Sequence, residues 1–136
     1  MKKIALLSIV LIASCTPYSH RINMQEDQDR AKVISDKFYG YLKSGDFESA
    51  SQLCGADAAP KDAKALLVQL NGDLGTLKNV NYESGNSDVT DSHHHTNGEI
   101  DLKYTATYDN AVRAEDFVFK FVNDSLKIAG YHSKGK

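Results

Sequence analysis

The sequence predicts an α+β fold, with helices leading and antiparallel strands following. Apolar residues recur at three- and four-residue steps as far as Leu74, then fall into strand-like runs from Leu77 onward. Segregation of the two periods predicts helices packed on one face of a curved sheet. The 136 residues, 41% hydrophobic and 25% charged with 9 Gly and 2 Pro, suit one globular domain with a modest core and exclude collagenous or low-complexity chains.

Met1-Lys2-Lys3 is a basic start, and Ile4 to Ala13 is an apolar run broken only by Ser8. That run is about half the length a permanent helix needs to cross a bilayer, so residues 1–14 read as a signal peptide. Ile12-Ala13-Ser14-Cys15 resembles the lipobox of bacterial lipoproteins: an aliphatic residue, two small ones, then cysteine. The resemblance implies cleavage before Cys15, a diacylglycerol thioether on its sulfur and acylation of the new N-terminus. Several acyl chains anchor durably where one does not. A conventional secretory signal with an unrelated cysteine nearby is the alternative. Within that family, Thr16 rather than Asp after the cysteine implies the outer membrane, with the domain facing the periplasm.

Removing Lys2 and Lys3 from the 16 basic residues leaves 14 against 18 acidic, a net charge near −4. A nucleic-acid partner, which demands a basic face, is therefore not expected. Lipidation of Cys15 leaves Cys54 alone, so no internal disulfide forms, and Cys54 is expected to be a buried, inert thiol.

Residues 15–23 form the lipidated N-terminus and a tether marked by Pro17, and the domain is expected over 24–136. Ala31, Ile34, Phe38, Tyr41 and Leu42 give the first helix, with Glu26, Asp27 and Asp29 early and Lys43 late. Ser44-Gly45 stops it, and Asp46 caps a second helix striped by Phe47, Ala50 and Leu53. Pro60 opens a third helix through Ala63, Leu66, Leu67 and Leu70. Leu77, Val80 and Tyr82 form a short strand ending at a turn over Ser84 to Ser87. Ile100, Leu102, Tyr104, Ala106 and Tyr108 alternate with polar residues in the next strand. Asp109-Asn110 turns the chain into a strand whose odd positions Phe117, Phe119 and Phe121 form an aromatic face, with Asp116, Val118 and Val122 opposite. Asn123-Asp124 turns again before Leu126, Ile128 and Tyr131.

The opening helix, Tyr41-Leu42-Lys43-Ser44-Gly45-Asp46-Phe47-Glu48-Ser49-Ala50 at the helix joint, Leu74-Gly75 and the closing Leu126-Lys127-Ile128-Ala129-Gly130-Tyr131 resemble the NTF2-like superfamily. Within it they are most similar to small bacterial lipoproteins carrying SnoaL-like or ketosteroid-isomerase-like domains of unknown function. The resemblance spans Met24 to Tyr131. It implies a cone with a pocket between helices and concave sheet, often in a homodimer. Enzymes of this superfamily, such as ketosteroid isomerase and the polyketide cyclases, place an acidic base deep in the cone.

No such base stands out here, because the inward strand faces supply mainly apolar residues and Asp116 points the other way. No paired carboxylates or nucleophile elbow appear either. Asp91 and His93 to His95 are the one cluster with metal-ligand chemistry. His93 and His95 are weak candidates, since Glu99 lies on the order of 13 Å along the strand from His95; a solvated loop is the plainer reading, and no cofactor is expected. Phe38, Tyr41, Tyr104, Tyr108, Phe117 and Phe119 are candidates for an aromatic ligand pocket, or else ordinary core residues. The sequence therefore favours a lipid-anchored, non-catalytic binding or assembly module of the cell envelope. Its partner would be a second copy, an envelope protein or a small hydrophobic ligand. An NTF2-like enzyme on a small hydrophobic substrate and a metal-binding lipoprotein are the alternatives.

Overall fold

The computed structural model describes residues 18–55 and 62–136. Cys15 and Pro60 lie outside the described residues. In chain order the elements are β1 (Ser19–Ile22), α1 (Gln25–Ser44), α2 (Phe47–Gln52), α3 (Ala63–Leu74), β2 (Leu77–Ser92), β3 (His95–Tyr108), β4 (Val112–Val122) and β5 (Ser125–Gly135). The strands form a single antiparallel sheet in the order β1-β2-β3-β4-β5. This is the predicted α+β architecture, with helices on one face of a curved sheet.

Local chemistry sets the helix boundaries. Gly45 adopts φ 75°, where a side chain is disfavoured, and the amides of Gly45 and Asp46 reach back to Leu42 and Tyr41 to close α1. The Asp46 carboxylate then accepts from the Ser49 amide at 3.0 Å and starts α2. α1 buries Ala31, Ser35, Phe38, Tyr39 and Leu42 against the sheet.

Phe117 is the hub of the core. Its ring lies 5.0–5.7 Å from those of Phe38, Tyr39, Tyr104, Phe119 and Tyr131. Phe38, Ile100, Leu102, Phe117 and Phe119 are each 0% exposed. Burial of each such side chain contributes roughly 1.5–3 kcal/mol before entropy is counted.

Two expectations are corrected. The stretch expected as a tether supplies β1, whose Ser19 to Ile22 pair with Asp91 to Asp88 of β2. Four residues, one of them Arg21, show no apolar alternation to reveal a strand. The expected turn at Ser84 to Ser87 lies inside β2, which runs on to Ser92. Turn-forming residues are tolerated there because β3 pairs with the whole segment, and a bulge at Glu83 absorbs the irregularity.

A second bulge shapes the interior. Val118 pairs with Gly130 but Phe119 with Ile128, leaving Ala129 as the extra residue on β5. Strict alternation would put Ile128 and Tyr131 on opposite faces. The bulge turns both inward.

Candidate functional site

At the inner face of β4, Glu115 is completely buried. β3 places Tyr104 opposite it and β5 places Ser133 on the other side. Three hydroxyls converge on its carboxylate. Tyr39 of α1 donates to Oε2 at 2.8 Å; Tyr108 and Ser133 donate to Oε1 at 2.8 and 3.1 Å. A buried carboxylate without such partners would be severely destabilising. Carboxylates offer about four lone-pair positions, so one on Oε2 remains open.

Arg113 extends the network outward, its Nε donating to Ser133 Oγ at 3.1 Å and its Nη2 to the Ser133 carbonyl at 2.7 Å. Burial, then the nearby Glu115 charge, pushes the Tyr39, Tyr108 and Tyr131 phenols well above the usual range. Burial also pushes Tyr104 up to about 12. All four phenols are neutral hydroxyl donors at working pH.

Beside this network lies an apolar cavity of about 100 Å³, walled by Phe38, Cys54, Leu66, Leu67, Ile128 and Tyr131. A more open groove of about 310 Å³ shares Leu66, Leu67 and Tyr131 with it and adds Leu70, Asp73 and Ser133. The two spaces meet at Tyr131. Its hydroxyl is sealed from solvent and makes no well-formed hydrogen bond, the Tyr108 phenol being its polar neighbour.

The aromatic pocket candidates separate into three groups. Phe38 lines the cavity. Tyr104, Phe117 and Phe119 are buried in the core, and Tyr41 packs partly buried against it. Tyr108 holds the carboxylate. Cys54 is partly buried, its thiol pushed up by burial, which suppresses the reactive thiolate. His93 and His94 occupy the exposed β2–β3 turn with ring centroids 6.0 Å apart, and His95 opens β3, exposed. Among the described residues no three His, Cys, Asp or Glu side chains converge as a metal site.

Glu115, Ser133 and Arg113 were not expected. The signal for Glu115 was the odd-numbered face of Phe117 and Phe119 carried two residues further back. It corrects the expectation that no acidic base stands out among the mainly apolar inward strand faces.

No protein-family model matches the chain, and no curated protein matches it. A solved structure that is similar is that of Aln2 from a Streptomyces species, at 10% identity and a TM-score of 0.59, covering 85% of this chain and 94% of that one. At that identity the likeness establishes the fold alone, and the fold is NTF2-like. Because cones of this fold commonly house enzyme sites, the expectation that the chain is not an enzyme is corrected by this likeness.

Proposed function

We propose that the chain is a lipid-anchored envelope protein with one chemical act: moving a proton on a small, mostly apolar carbonyl compound bound under α3. The observation that carries this reading is the buried Glu115 carboxylate, linked by the Ser133 hydroxyl to a groove that Ser133 and Tyr131 both wall.

The chemistry follows from the hydrogen bonds. Ser133 Oγ accepts from Arg113 with one lone pair and donates its own proton to Glu115, leaving a second lone pair on a residue that lines the groove. A proton leaving the carbon beside the carbonyl passes to Ser133 Oγ as the Ser133 proton passes to Glu115 Oε1. The substrate becomes an enolate. Arg113 offsets the negative charge. Reprotonation at carbon reverses the path.

Anchoring rests on Ile12-Ala13-Ser14-Cys15, and the outer membrane facing the periplasm on Thr16. Among the described residues no helix is long and apolar enough to cross a membrane. Cys15→Ser is expected to release the chain from the membrane pellet; retention there contradicts the lipobox. For the chemistry, deuterium uptake from heavy water into a panel of small cyclic and aromatic ketones is followed by mass spectrometry. Glu115→Gln is expected to slow uptake by at least about a hundredfold with the fold intact, in line with general-base contributions. Uptake unaffected by that change removes Glu115 as the base.

A further inference from the structure

We propose that the β1 margin of the domain rests on the bilayer surface, among zwitterionic lipid headgroups, with the cavity turned toward water. This rests on the lipoprotein reading above and goes beyond it, because the domain's own surface, and not only acyl chains, meets the membrane.

Chain length carries the first step. Three residues take the chain from Cys15 to Tyr18, a reach of at most about 11 Å when fully extended. β1, which starts at Ser19 one residue further on, therefore begins within about 14 Å of the acylated residue, about twice the polar layer of one leaflet. The side chains presented there suit that layer. Tyr18 is 70% exposed, Ile22 60% and Met24 46%. Tyr is favoured at the boundary between headgroups and hydrocarbon, and aliphatic side chains gain by entering it.

β1 does not act as a loose extension of the tether. Arg21 donates from Nε and Nη2 to the two oxygens of buried Asp27 on α1, at 3.1 and 3.0 Å, and from Nη1 to Asp91 on β2. The strand is thus clamped to helix and sheet, so holding β1 at the membrane holds the domain there. Asp88 and Asp91 on the neighbouring strand make an anionic leaflet the poorer surface, since Arg21 is already engaged and His20 is paired with Asp88.

Strand order carries the second step. β1 and β5 are the two edges of the sheet, separated by four inter-strand spacings, about 19 Å along it. The cavity is walled by Ile128, Gly130 and Tyr131 of β5. A bilayer under β1 leaves that wall toward the aqueous side, and the ligand arrives through water rather than from the lipid phase.

The chain has no Trp, so a single introduced one reports its own surroundings. Tyr18→Trp, Ile22→Trp and Val68→Trp are prepared as the acylated full-length protein, then bound to phosphatidylcholine–phosphatidylethanolamine vesicles with brominated acyl chains. Val68 is 47% exposed on α3 and serves as the distant site. Tryptophan at 18 and 22 is expected to be quenched at least threefold more than at 68. Equal quenching at the three sites, or none at 18 and 22 in protein that floats with the vesicles, overturns the β1 contact while leaving the anchor intact. Mass spectrometry of the N-terminal peptide separates the two readings: a bare Cys15 sulfur overturns the lipoprotein reading and this inference together.

Discussion

The Tyr39 hydroxyl on α1 and the Glu115 carboxylate on β4 meet at 2.8 Å, 76 residues apart in the chain. Each accounts for the burial of the other. Tyr39 is 4% exposed and Glu115 0%, and the bond gives both polar ends a partner where water has no access. It also ties the principal helix to the fourth strand, so the same contact that seats α1 on the sheet orients Oε2.

Tyr39→Phe keeps the ring and removes the donor. Oε2 then loses its one hydrogen bond inside the core, which costs about 1–3 kcal/mol. The urea midpoint is expected to fall with an unchanged slope. No change in midpoint would show that Glu115 Oε2 has another partner in solution.

Alkaline titration tests the whole cluster. Seven tyrosines are present, and Tyr39, Tyr104, Tyr108 and Tyr131 have raised pKa values in the fold, burial being the first cause in each. The folded state keeps protons on these phenols that the unfolded chain releases near pH 10. Their contribution to stability is therefore complete below about pH 10 and is lost as pH rises through the folded values. Phenolate absorbance is expected to show these four appearing late, together with loss of the fold. Seven independent titrations near pH 10 would contradict the buried cluster.

Phe119→Ala reads the packing of β4. Phe119 is 0% exposed, stacks on Phe117 with centroids 5.7 Å apart and stands opposite Ile100. Its truncation is expected to cost about 3–5 kcal/mol in equilibrium unfolding. A cost under about 1 kcal/mol would put the ring outside the core.

Periodicity made much of this fold legible. Ala31, Phe38 and Leu42 marked the buried stripe of α1, and Ile100, Leu102 and Tyr104 the inward face of β3, because each repeats a single period over many residues. The site was less legible because it departs from that pattern. Glu115 continues the inward face of Phe117 and Phe119 but is polar, so a search for apolar alternation stops one step short of it. Ser133 and Tyr131 face inward only because the bulge at Ala129 shifts the register of β5, and a bulge leaves no periodic trace. Tyr39 differs again: its helical position is plain, but its partner is fixed by tertiary packing alone.

Gly98 is the position where the β2–β3 ladder allows least substitution. It stands opposite Val89 with φ 143°, a backbone region that essentially only glycine occupies without strain. A Cβ there would lie 2.2 Å from the Asp88 carbonyl oxygen and 2.8 Å from the Val89 Cα. Both are backbone atoms of β2, so rotation of a side chain cannot relieve the contact, and the strands must part. Gly98→Ala is expected to cost at least about 1–3 kcal/mol, from the strained backbone before the contact is added. The damage should be local as well as global: amide exchange should quicken over Asp88 to Asp91, the part of β2 that also pairs with β1. Loss of that pairing loosens the edge clamped by Arg21 before it reaches Glu115, so hydrogen exchange resolved by residue distinguishes the order. Uniform protection in the variant would mean that this stretch of the hairpin is not held as described.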